Sequence, residues 1–117
     1  MAWDFSTDPE FDLQLQWMQK FVAEEIEPLD LVFRDPAAPF DPASPAAKAM
    51  APLKQEVKDK GLWACHLGPE LGGEGFGQLK LGLMNEILGR SRFAPTVFGT
   101  QAPDTGNAEI LARFGSD

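Results

Sequence analysis

The sequence predicts an all-α fold: a bundle of four or five helices with a proline-rich connection and a glycine-rich loop. Three observations lead there. Apolar residues recur at steps of three and four in several segments, the spacing of one helix face. Residues that start and stop helices punctuate those segments. The short apolar run between them, Leu62 to Leu67, fits a strand or a buried turn equally and is too brief to add a sheet.

The first helix begins at Asp8-Pro9-Glu10. Asp8 suits the N-cap, Pro9 the first helical position, and Glu10 complements the helix dipole. Phe11, Leu15, Met18, Val22 and Ile26 form one apolar row, and Leu13, Trp17 and Phe21 a second. Pro28 is expected to end this helix near Glu27, because an interior proline removes a hydrogen bond and crowds the preceding turn. From Arg34 to Pro45, prolines at 36, 39, 42 and 45 predict a stiff, extended connection lying on the surface.

Ser44-Pro45 starts a second helix, with Ala46, Ala49, Met50, Leu53 and Val57 inward and Lys48, Lys54, Lys58 and Lys60 outward. Pro52 is expected to delay or kink it, leaving regular helix from about Ala51 to Lys60. Gly61 is the left-handed stop and Leu62 covers the end. Gly68 to Gly77 holds five further residues of glycine or proline type beyond its first and reads as loop. A third helix carries Leu79, Leu83, Met84, Ile87 and Leu88 on one face and ends at Gly89-Arg90-Ser91. Pro95 opens a short fourth helix or turn reaching Gln101. After an interruption, Asp104 or Thr105 caps a last helix that carries Ile110, Leu111 and Phe114 and stops at Gly115.

Charge and cysteine content narrow the function. The 117 residues carry 18 acidic against 10 Lys and Arg side chains, a net charge of −8. Nucleic acid and anionic membranes are poor partners for scattered cations in that field. A single cysteine, Cys65, excludes an internal disulfide and points to a reducing, cytoplasmic setting. The start of the chain reads as neither signal nor transit peptide, and no apolar run is long enough to span a membrane.

Complete catalytic constellations are not evident. Cys65-His66 offers a nucleophile and a base, but sequence neighbours point apart, and a buried apolar cysteine is the plainer reading. Zinc needs more Cys and His than this chain has. The glycine-rich loop lacks the lysine and hydroxyl of a P-loop, and Glu70 and Glu74 repel anions. Glu24, Glu25 and Glu27 read as a solvated face, with Lys20 spaced to compensate Glu24.

The motifs together carry a resemblance. Gly61-Leu62-Trp63 followed by Gly68-Pro69-Glu70-Leu71-Gly72-Gly73-Glu74-Gly75 resembles the acyl-CoA dehydrogenase family, where a helix ends at glycine and a Pro-Glu-x-x-Gly-Gly-x-Gly loop follows. Phe98 to Asn107 and the run to Phe114-Gly115-Ser116-Asp117 resemble the helices before that family's domain boundary. The helix from Asp8-Pro9 through Glu25-Ile26-Glu27-Pro28 extends the similarity over nearly the whole chain.

The resemblance implies that residues 1–117 are the N-terminal helical domain of a flavoenzyme that desaturates acyl-CoA between its α and β carbons. FAD and the catalytic glutamate then belong to a middle β-domain and a C-terminal helical domain. The chain is read as a piece lacking those domains, with no catalytic residue, no bound flavin and no activity of its own. The part it plays is one wall of the acyl-chain pocket, matched here by Phe98, Gly99, Thr100, Gln101 and Ala102. The parent's partners are acyl-CoA and an electron-transfer acceptor; the parent is expected to be a homo-oligomer, and the isolated piece to self-associate through exposed apolar surface. The proline-rich stretch departs from the shorter connection of simpler family members. The alternative function is a freestanding helical module that binds a partner protein through the apolar rows of the first helix.

Overall fold

Asp8 has extended backbone, φ −68° and ψ 153°, and its carboxylate accepts the Phe11 N–H at 2.9 Å. That cap and Pro9 open α1, Pro9–Phe21. The structure, a computed structural model, describes residues 4–116; Met1 to Trp3, where the leader reading begins, and Asp117 lie outside the described residues. Phe11, Met18, Phe21, Val22 and Ile26 are buried as their spacing predicts, and Leu15 packs against them. Leu13 is the exception in the second row: it is 65% exposed, at the edge of a recess shared with Lys60 and Leu62.

Pro28 does not end the helix. A π-helical turn, Val22–Ile26, follows α1 and leads straight into α2, Glu27–Val32. The wider turn pairs the Glu27 N–H with the Val22 carbonyl five residues back. Pro28, which has no N–H to donate, therefore falls in the opening turn of a new α-helical register, where the missing donor costs little. The chain from Pro9 to Val32 is one continuous helix, and with it the described residues form five.

Arg92 secures its end. The guanidinium donates to the carbonyls of Asp30 at 2.8 Å, Phe33 at 3.3 Å and Arg34 at 3.2 Å, groups that a helix terminus otherwise leaves open.

The proline-rich connection folds into turns, which corrects the extended reading. Asp35 and Asp41 each accept the N–H two residues on, and Ala38–Phe40 forms one 3-10 turn with Pro39 buried beneath it. These side chains compete with an extended backbone and win locally. Ser44 then caps α3, Pro45–Asp59, by accepting the Ala47 N–H at 3.0 Å. Pro52 neither delays nor interrupts α3; only its own hydrogen bond is lost, on an exposed position of a well-capped helix. Ala46, Met50 and Val57 are buried, while Ala49 and Leu53 are half-buried.

Gly61 adopts φ +72°, and the Leu62 N–H returns to the Val57 carbonyl at 3.1 Å, the expected left-handed stop. Residues 62–67 form turns, not a strand. The glycine-rich loop contains one 3-10 turn, Pro69–Leu71, and leads to α4, Gln78–Leu88. Met84, Ile87 and Leu88 enter the core, but Leu79, expected inward, is 45% exposed; Leu81 is half-buried in its place.

The fourth predicted helix is shorter than expected. The helix α5, Ala94–Phe98, stops at Gly99 instead of Gln101 because Gly99 turns left-handed at φ +68°. The last helix, α6, Asp104–Phe114, follows Pro103 and not an Asp104 or Thr105 side-chain cap. Its apolar residues Ile110, Leu111 and Phe114 are 59%, 68% and 82% exposed. They share a face as their spacing requires, but nothing among the described residues covers it. The core lies between α1, α3, α4 and α5, where Phe11, Met18, Met50, Met84, Phe93 and Phe98 are almost wholly enclosed. Each such side chain contributes roughly 1.5–3 kcal/mol by leaving water.

Candidate functional site

The stretch 98–102 is held by contacts from the chain just after α3. Ala64, in the left-handed region at φ +52°, donates its N–H to the Phe98 carbonyl at 2.9 Å. That link sets the preceding indole, Trp63, against Gly99. A β-carbon at Gly99 would lie 2.7 Å from Trp63 Cε2 and 2.8 Å from Cζ2, so glycine serves both the turn and the close approach. Lys58 stands over the Trp63 ring at 4.7 Å, a cation–π contact on the same indole.

The five sequence-assigned residues separate by environment. Phe98 is fully buried and meets Phe21 edge-on, with ring centroids 6.1 Å apart. Thr100 closes the turn with its N–H on the Pro95 carbonyl at 2.9 Å. Gln101 accepts from the Thr96 hydroxyl at 2.7 Å and donates to the Ala102 carbonyl at 3.1 Å. Ala102 is exposed and joined to Pro103 by a cis peptide bond. Only Gly99 and Gln101 of the five line a recess of about 280 Å³, together with Phe40, Trp63 and Lys54. Those last three escaped the sequence reading as site residues. Trp63 belongs to the Gly61-Leu62-Trp63 motif, but its contact with Gly99 spans 36 positions and has no local signature.

A second recess, about 340 Å³, opens beside the glycine-rich loop and is lined in part by Cys65, His66, Glu70 and Phe76. The loop needs its glycines for packing: a β-carbon on Gly73 would sit 2.0 Å from the Leu67 carbonyl oxygen. Burial pushes the Cys65 thiol up to about 11, so it is no thiolate nucleophile near neutrality. His66 places Nε2 3.2 Å from the Thr105 carbonyl, which ties α6 to the core, and its Nδ1 is buried without a partner. The Cys65-His66 pair is thus a thiol beside a ring engaged elsewhere.

The diphosphate of FAD does not fit this loop. Glu70 lines the recess, no Lys or Arg does, and Lys80 on the first turn of α4 commits its ammonium to Asp8 at 2.7 Å. Glu24 and Glu25 are exposed and Glu27 half-buried along the π turn and α2. Among the described residues no three His, Cys, Asp or Glu are placed to hold a metal ion. No helix there is long and apolar enough to cross a membrane.

These features define a class: an all-α domain whose short fifth segment ends in a glycine turn against an indole, over a small aromatic recess. Residues 8–117 match the family of acyl-CoA dehydrogenase N-terminal domains, and the chain belongs to that family. It is 32% identical to acyl-CoA dehydrogenase family member 10 of Mus musculus over 103 residues, which are 84% of this chain and 10% of that protein. It is 46% identical to acyl-CoA dehydrogenase family member 11 of Pongo abelii over 65 residues, 56% of this chain and 8% of the relative. A probable acyl-CoA dehydrogenase, FadE2 of Mycobacterium tuberculosis, is 37% identical over 86 residues, 73% of this chain and 20% of that protein. The chain thus spans a fifth or less of the length of these relatives. No solved structure matches it.

Proposed function

We propose that this chain acts as the N-terminal helical domain of a FAD-dependent acyl-CoA dehydrogenase and forms one wall of its acyl-chain pocket through Phe98, Gly99, Thr100, Gln101 and Ala102. The observation that carries the reading is the family match over residues 8–117. The Gly99 turn supports it structurally, because a glycine locked against Trp63 presents bare backbone to a neighbouring recess. Within the wall, Phe98 supports from the core side while Gly99 and Gln101 face the ligand. The reaction is α,β-desaturation of acyl-CoA, with electrons passed to an external acceptor by a cytoplasmic homo-oligomer. FAD and the catalytic carboxylate are held by a middle β-domain and a C-terminal helical domain. The residues of this chain contribute shape and exclusion of water, not proton transfer.

An acyl-CoA carrying a photoreactive diazirine on its terminal carbon tests the assignment on the product of the complete reading frame. Trypsin cleavage after Arg92 and Arg113 isolates residues 93–113 in one peptide. Labelling of that peptide, suppressed by unlabelled acyl-CoA, is the expected result. Labelling that spares it while marking other peptides overturns the wall assignment. A folded product that binds no acyl-CoA, but captures a partner through α1, would favour the interaction-module alternative.

A further inference from the structure

We infer that Phe40, presented by the proline-rich turn, is a specificity-determining residue that limits the length of acyl chain the pocket accepts. The inference rests on the acyl-pocket reading above and adds a residue from a stretch which that reading leaves without a role.

Phe40 combines an exposed ring with a fixed backbone. It is 55% exposed, yet the backbone carrying it is tightly fixed. The Asp35 and Asp41 carboxylates each accept a backbone N–H at 2.9 Å, and the Ser44 hydroxyl donates to the Ala38 carbonyl at 2.6 Å. Pro39, directly before it, is buried. A stiff turn therefore holds the ring at the recess that Gly99 and Gln101 also line, with Trp63 as its second aromatic. The recess has one cation and one anion, Lys54 and Asp104, so it exerts no net pull on the phosphates of CoA. Two aromatic rings and a side-chain-free glycine instead suit the far, apolar end of an acyl group. At about 280 Å³ the space is finite, and the Phe40 ring occupies one boundary of it.

The test uses the product of the complete reading frame as wild type, Phe40→Ala, Phe40→Trp and the control Leu31→Ala, whose side chain is exposed away from the recess. Turnover is measured as kcat/KM over a series of straight-chain acyl-CoAs, with near-UV circular dichroism to confirm folding. Phe40→Ala is expected to raise the ratio of long-chain to short-chain kcat/KM by about tenfold, the scale on which apolar pockets discriminate added methylenes. Phe40→Trp is expected to lower it, and Leu31→Ala to leave it unchanged. Phe40→Trp carries the test alone if the alanine variant does not fold. An active wild type whose chain-length profile survives both Phe40 substitutions overturns this inference but leaves the proposed function standing. A folded wild type that oxidises no acyl-CoA overturns the proposed function itself, and this inference with it.

Discussion

Gly99→Ala isolates the structural role of the turn that ends α5. Two costs follow from the structure. An L-residue at φ +68° occupies the left-handed region, at roughly 1–2 kcal/mol. Its β-carbon also meets three indole atoms of Trp63, at 2.7, 2.8 and 3.0 Å, and relieving such overpacking costs roughly 1–3 kcal/mol. The indole has little freedom to retreat, because Ala64 is pinned to the Phe98 carbonyl and Lys58 stands over the ring. Loss of chain entropy in the unfolded alanine variant offsets somewhat less than 1 kcal/mol. The net is a destabilisation of about 3 kcal/mol. With a urea m value of about 1.5 kcal/mol/M, the midpoint falls by about 2 M. Gly82→Ala is the control: nothing lies within 4 Å of a β-carbon there, α4 backbone suits alanine, and the midpoint should rise by the equivalent of about 0.5–1 kcal/mol. In a Trp63→Phe background the Gly99→Ala penalty should shrink by at least about 1 kcal/mol, since the two side chains share one contact. A Gly99→Ala variant within about 0.5 kcal/mol of wild type would refute the clamped-turn account.

Other consequences are equally direct. Arg92→Ala should destabilise the chain by about 1–2 kcal/mol in urea titration by freeing the carbonyls of Asp30, Phe33 and Arg34; Arg92→Lys should not restore it, having no planar fork to span them. Gly73→Ala should open the 68–77 loop to limited proteolysis, because its β-carbon would overlap the Leu67 carbonyl. The Asp8 carboxyl is held below its ordinary value first by the Lys80 ammonium and then by the Phe11 N–H. A depressed folded value means that its contribution is full above the ordinary carboxylate range and fades as pH falls through the lowered value. Asp8→Asn should therefore be destabilised at neutral pH, and the gap to wild type should close in acid, read from urea midpoints at both. Cys65 should resist a thiol-reactive dye at neutral pH in the folded chain and react once urea unfolds it.

Local chemistry was readable from residues close in sequence. Asp8, Ser44 and Gly61 cap and stop their helices as their types require, and the Phe11 to Ile26 row is buried at its helical spacing. What escaped was decided by tertiary context. Pro28 passes through because a π turn resets the hydrogen-bond register ahead of it, and Pro52 because a firm N-cap and a buried face hold α3 around it. Periodicity groups Ile110, Leu111 and Phe114 on one side of α6 but cannot supply a neighbour to cover them. Leu13 and Leu79 likewise lie on apolar rows yet stay 65% and 45% exposed. At the site, Gly99 was visible as part of a motif, whereas its clamp by Trp63 and the Phe40 boundary depend on chain segments far apart in sequence.

The proposed desaturation is read by mass spectrometry of acyl-CoA incubated with the product of the complete reading frame and an electron-accepting dye. The expected product is lighter by two hydrogen atoms, the 2-enoyl-CoA, formed together with reduced dye. A folded protein that leaves saturated acyl-CoA of every chain length unchanged would contradict the proposed desaturation.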